Sequence, residues 1–174
     1  MRLVKFYEVE PTRDNYWRAV ILFGANVASY KFALAKALYD LRSTQNDLIT
    51  LSELAVPFSK HLCEHLKHSP KQITSRSSRF LDACKAHNDG EIATDELTKA
   101  TIQLGFNNVI DAFHIVNRSP IKKRFFIDER SDNGGIRLTE DFFLLTRDSS
   151  VAGDLAQETE ARWRLVETAW AEGI

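Results

Sequence analysis

The sequence predicts one mainly α domain, of the α+β class, whose helical body carries a small antiparallel β-hairpin or sheet. Three observations predict this. Apolar residues step by three and four through most of the chain. Those stretches are punctuated by N-cap residues at their starts and by Gly or Pro at their ends. Only between 123 and 138 do aromatic and branched residues flank a Gly-Gly pair, the pattern of paired strands. The 174 residues show no internal repeat and no linker able to separate two units, so residues 1–174 read as a single domain.

In chain order, residues 3–9 partly alternate and predict a short strand, which could join the 123–138 hairpin. Pro11 to Asp14 turn the chain, and Asp14 is placed to cap a helix carrying Trp17, Val20 and Ile21, stopped by Gly24. Asn26 can cap the next helix, whose Val27, Tyr30, Leu34, Leu38 and Leu41 line one face. Residues 42–48 read as a polar turn. Thr50-Leu51-Ser52-Glu53 is a capping box ahead of the Leu54, Phe58, Leu62 and Leu66 stripe, with Pro57 predicting a kink. A loop follows over 68–78. Phe80, Leu81 and Cys84 mark a short helix, Asn88-Asp89-Gly90 a turn, and Thr94 the cap of a helix ended by Gly105. Residues 109–116 predict another short helix. Beyond the hairpin, Thr139 can cap a helix carrying Phe142, Phe143 and Leu145. A final helix over about 151–172 aligns Ala152, Leu155, Thr159, Trp163, Val166 and Trp170.

Composition narrows the function classes. The 23 basic and 24 acidic residues give a net charge of -1, unlike a strongly basic nucleic-acid binder or an acidic disordered tail. Two cysteines, Cys63 and Cys84, are too few for a zinc module or a disulfide scaffold. No apolar run reaches membrane-spanning length, and the first residues lack the apolar core of a signal peptide, so a cytoplasmic location is expected. No phosphate-loop, dinucleotide-binding or nucleophile-elbow motif is present.

Near-neutrality conceals an uneven distribution. Residues 60–88 hold Lys60, Lys67, Lys71, Arg76, Arg79 and Lys85 against only Glu64 and Asp82. Residues 140–174 hold eight acids against three arginines. Lys71, Arg76 and Arg79, interleaved with Thr74, Ser75, Ser77 and Ser78, supply the cations and hydroxyl donors that phosphates need. Lys122, Lys123 and Arg124 beside Phe125 and Phe126 form a second candidate for DNA-phosphate contact. Solvated faces that attract each other are the simpler alternative.

Two further clusters invite chemistry. His61 and His65 lie four residues apart, a spacing that can chelate one metal, but the His-Glu-x-x-His order is missing and a polar helix face is the stronger reading. Residues 85–96 follow a calcium-loop register with Gly90 at position six and Glu96 at twelve. Lys85 and His87 occupy positions that require oxygen ligands, which favours a plain helix–turn–helix connection. Trp163, Val166 and Trp170 are candidates for an interface between copies, with burial in the domain's own core as the commoner alternative.

Three runs are more specific than their periodicity. They are 16–24 continued by 29–38 (YWRAVILFG and SYKFALAKAL), 104–114 (LGFNNVIDAFH) and 158–170 (ETEARWRLVETAW). In this order they resemble the N-terminal region that precedes the nuclease domain in a group of bacterial HNH endonucleases. The resemblance implies a module of a longer HNH-type nuclease. The catalytic ββα-metal unit, with its histidine base, its divalent metal and often two Cys-x-x-Cys pairs, would follow the last helix. This chain has no Cys-x-x-Cys, and His114 is followed by Ile115 without the family's catalytic pattern, so no catalytic residue carries over. The expectation is a non-catalytic module with no cofactor of its own, positioning the enzyme on DNA or docking a partner. The alternative is an oligomerisation scaffold without a nucleic-acid role.

Overall fold

The computed structural model describes residues 5–9, 11–24 and 28–173. Over these residues the chain is mainly helical with a small antiparallel sheet of three strands, as expected, and a further two-stranded sheet. The expected strand over 3–9 is replaced, where described, by a single helical turn, α1 (Phe6–Val9). Its Tyr7 is buried against Tyr16, with ring centroids 6.1 Å apart, and this tertiary contact overrides the local alternation.

Helix α2 (Arg13–Phe23) is capped by Thr12, not Asp14. The Thr12 Oγ1 accepts from the Asn15 N–H at 3.3 Å, freeing Asp14 to pair with Arg18 one turn on. Gly24 ends α2 with an ordinary φ of -72°, so it does not serve as a left-handed stop. The expected cap Asn26 and the stripe residue Val27 lie outside the described residues. Helix α3 (Tyr30–Asp40) buries Phe32, Leu34 and Leu38 completely.

The polar turn expected over 42–48 forms through residue 47, and Leu48 opens a strand, β1 (Leu48–Thr50), that leads directly into α4 (Leu51–Leu66). The capping box forms as expected. Thr50 Oγ1 accepts from the Glu53 N–H at 3.1 Å, and the Glu53 carboxylate accepts from the Thr50 N–H at 3.4 Å. Helix α5 (Arg79–Asn88) starts on Ser78. Helix α6 (Thr94–Ala100) starts on Ala93 with no side-chain cap, so Thr94 is its first residue and not its cap. The α5–α6 connection closes on backbone bonds, including Glu91 N–H to Ala86 O at 2.9 Å, with Gly90 at φ +75°. This is the plain connection favoured for the calcium-like register.

A π-helical turn (Thr101–Gly105) extends α6 and ends where expected. A Cβ on Gly105 would stand 3.2 Å from both Phe58 and Phe80. The helix expected over 109–116 is cut short. Only α7 (Val109–Ala112) is helical, because β2 (Ile115–Val116) turns through Asn117 and Arg118 to pair with β3 (Ser119–Pro120). The larger hairpin is β4 (Phe126–Glu129), α8 (Arg130–Asn133) and β5 (Gly135–Leu138). Its third strand is β1, in the order β1-β5-β4, so the sheet's partner is not the N-terminus.

Thr139 caps α9 (Glu140–Thr146), and Asp148 caps α10 (Ser149–Ala171). The whole expected stripe of α10 is buried, packing on α2, α3 and α9. Trp17 meets Phe125 edge-on at 5.1 Å and Phe113 at 5.7 Å, joining α2 to the hairpin side of one core. Cys63 and Cys84 are both buried free thiols. Among the described residues, no helix is long and apolar enough to cross a membrane.

Candidate nucleic-acid interface

The loop over 68–78 connects α4 to α5, yet one of its residues is fully buried. Gln72 points into the core, where Trp163 Nε1–H donates to its Oε1 at 2.9 Å. Its own Nε2 donates to Ser69 O at 3.0 Å and to the Glu167 carboxylate. The backbone carbonyl of Gln72 accepts from the Ser29 N–H at 3.0 Å, and Ala28 bridges Ile73. At the loop's far end Ser78 has two partners. Its Oγ bonds the Tyr30 hydroxyl at 2.7 Å and accepts from the Leu81 N–H at 3.2 Å as the cap of α5. The basic loop is therefore pinned at both ends.

His65 belongs to the same network. Its Nδ1 lies 2.8 Å from Glu167 and its Nε2 3.0 Å from Glu160. A carboxylate only accepts, so both ring nitrogens must donate and the ring is an imidazolium. The Trp163 indole stacks on it with centroids 3.4 Å apart and planes 2° from parallel, a geometry that favours a cation. Burial opposes the charge, but the two carboxylates win and the His65 pKa is raised. Glu160 also receives Lys36 and, at 3.3 Å, Arg164. His65 foremost, then Lys36, holds its carboxyl down at about 2, against the burial that would raise it.

His61 and His65 are thus not brought onto a common metal. His65 has no lone pair to give, and His61 Nε2 is taken by Asp40 at 2.6 Å. Among the described residues no group of three or more His, Cys, Asp or Glu is arranged to hold a metal ion. A surface cleft of about 680 Å³ opens over this cluster, where both His65 ring nitrogens are already bonded to Glu160 and Glu167. The array locks helices together. It offers no unengaged base.

The expected phosphate-contact residues sort clearly. Lys71, Arg76 and Arg79 are exposed, and no acid within the described residues pairs with them. Ser77 beside them is exposed, as is Ser75, whose hydroxyl donates to Ser77 O. Arg79 opens the ten-residue α5, whose N-terminal amides favour anions. In the second cluster Lys122 and Arg124 are exposed, while Lys123 lies 3.8 Å from Asp141. Phe125 and Phe126 are buried, so the stacking surface expected beside these cations is absent. Meanwhile three acids of α10 are paired, Glu158 with Arg18, Glu160 with Lys36 and His65, and Glu167 with His65, whereas Asp154 is exposed and has no ion pair among the described residues.

The interface candidates Trp163, Val166 and Trp170 are buried within the domain's own core, so the scaffold alternative loses the face that suggested it. His114 is buried too. Its Nε2 accepts from the Phe125 N–H at 2.9 Å, which makes it a neutral structural ring, and burial, then Arg124, lower its pKa to about 3. Sequence reasoning misses Gln72, since an isolated glutamine in a polar loop carries no periodic signal. No protein-family model, curated protein or solved structure matches the chain.

Proposed function

We propose that the chain is a non-catalytic module of an HNH-type DNA endonuclease, working in the cytoplasm, and that it positions the enzyme on DNA through the 71–79 loop. One observation carries this reading. The cations of that loop are exposed and unpaired among the described residues, on a backbone fixed at Gln72 and Ser78, while Glu158, Glu160 and Glu167 of α10 are paired within the fold. Unpaired cations on a fixed loop cost little ordering entropy when they meet phosphates. Hydroxyls and the α5 N-terminus add uncharged donors for the same oxygens. These are backbone contacts, so the module's contribution is affinity and register on DNA, with little sequence preference. Lys122 and Arg124 offer an additional exposed pair. The divalent metal expected of a nuclease unit has no assigned place in this chain.

A gel shift on a short duplex at low salt tests the reading. Retardation is expected for the wild-type chain and its loss for Lys71→Glu/Arg76→Glu/Arg79→Glu. No retardation at low salt, or equal retardation of both proteins, contradicts it.

A further inference from the structure

Gln72 is the buried anchor of the 71–79 loop, and its long-range side-chain bonds go to two residues of α10, Trp163 and Glu167. Both of these residues also contact His65. Trp163 stacks on the ring, and Glu167 bonds Nδ1. The third side-chain bond of Gln72 is local, to Ser69 O. The ring of His65 and the anchor of the loop therefore rest on the same pair of side chains.

The charged groups that face His65 come from three helices. Lys36 stands on α3, Glu160, Arg164 and Glu167 on α10, and His61 and Glu64 on its own α4. Lys60, His68 and Glu172 line the cleft beside them. Burial foremost lowers the His61 pKa, against the pull of Asp40, so that ring is neutral before His65 titrates. A neutral imidazole keeps one N–H and presents a lone pair at its other nitrogen. Glu160 then still has Lys36 and Arg164. Glu167 is placed differently. It is buried, and its described partner besides His65 is the uncharged Gln72 amide. Either tautomer of neutral His65 leaves it a buried carboxylate without a cation, which is costly. Glu167 lies near the end of α10 at Ala171, and opening that end lets it reach water. The same movement breaks its bond to Gln72, while Trp163 loses the cation on its face.

We propose that proton binding at His65 regulates the 71–79 loop: the imidazolium pins it through Glu167 and Trp163, and the neutral ring releases it. The consequence for DNA rests on the positioning role proposed above. A pinned loop meets phosphates already ordered, so DNA affinity is higher while His65 is charged. Burial opposes that charge, but Glu160 and Glu167 raise the His65 pKa above 6.5, so release comes as pH rises through the raised value. Lys31, lowered to about 8 by burial and then by Arg162, also titrates on the alkaline side, so variants at the His65 cluster identify the source.

Limited trypsin digestion of the full chain tests the coupling without DNA. The Lys71–Gln72 bond is protected while Gln72 is buried, and mass spectrometry reads its cleavage. Rates are normalised to a peptide substrate at each pH, over the range in which circular dichroism is unchanged. Cleavage of the wild type should quicken about fivefold or more as pH rises through the transition. His65→Gln, like Gln72→Ala, should be cut fast at every pH. Glu160→Gln removes one carboxylate from the imidazolium and should move the transition to lower pH, which keeps the test open if His65→Gln misfolds. DNA affinity of the wild type, by fluorescence anisotropy, should fall over the same pH range. Cleavage indifferent to pH, or a wild-type profile in the folded variants, overturns the coupling. Cleavage that follows His65 with no DNA binding at any pH upholds the coupling and overturns the DNA reading instead.

Discussion

At the scale of single residues, Gln72 and His65 explain how a polar loop is held on a hydrophobic body. Gln72→Ala leaves the Trp163 N–H without its acceptor and the Glu167 carboxylate short of a donor, at a cost of about 2 kcal/mol. Chemical denaturation reads that loss. DNA affinity should fall as well, although no charge changes, because the anchor of the loop is gone. His65 gives a pH signature. Its folded pKa is raised above 6.5, so its contribution is fully present below 6.5 and is lost as pH rises through the folded value. Glu160, lowered from 4.5 to about 2, contributes fully above 4.5 and loses its share as pH falls towards about 2. His114 acts in the opposite sense to His65. It is neutral in the fold, so its cost grows as pH falls from 6.5 towards about 3. Comparing wild type with His65→Gln separates them: the stability lost as pH rises above about 6.5 should shrink in the variant. An unchanged loss would remove His65 as its source. None of these roles is legible in the sequence. The His61/His65 spacing suggests a chelate, but which acids face a histidine is set by α10, about a hundred residues away.

At the scale of elements, local chemistry is readable and long-range pairing is not. The Thr50/Glu53 box, the Thr139 cap and the α10 stripe all form, since each is decided within a few residues. Strand β1 escapes a reading by pattern because three residues carry no period, and its pairing with β5 closes a loop of more than eighty residues. The sheet explains a glycine that the sequence alone places only in a turn. A Cβ on Gly135 would lie 2.0 Å from Ile49 O, so Gly135→Ala must push β1 off β5, destabilising the fold by about 2–3 kcal/mol in thermal or urea unfolding. Gly134→Ala has open space around it and costs less, about 1 kcal/mol, through its φ of +70°. Similar costs at the two positions would mean that the β1 approach is looser than described. Arg118→Gly should stabilise the Asn117–Arg118 turn by roughly 1 kcal/mol, since a left-handed second position suits glycine.

At the scale of the whole molecule, the net charge of -1 is a sum over regions that behave differently. Three acids of α10 are paired with Arg18, Lys36 and His65, while the cations of the 71–79 loop, with Lys122 and Arg124, are exposed and without an ion pair among the described residues. Both charged regions are visible in the sequence. That one of them is partly neutralised internally is not, because ion pairing depends on which helices are neighbours. The most direct measurement is the salt dependence of duplex-DNA affinity, by fluorescence anisotropy, for wild type and Lys71→Glu/Arg76→Glu/Arg79→Glu. A plot of log affinity against log salt should be steep for wild type. In the variant its slope should flatten by roughly 2–3, near 0.9 for each phosphate that is no longer neutralised. Parallel lines for the two proteins, or wild-type binding indifferent to salt, would contradict a DNA-positioning role for the loop.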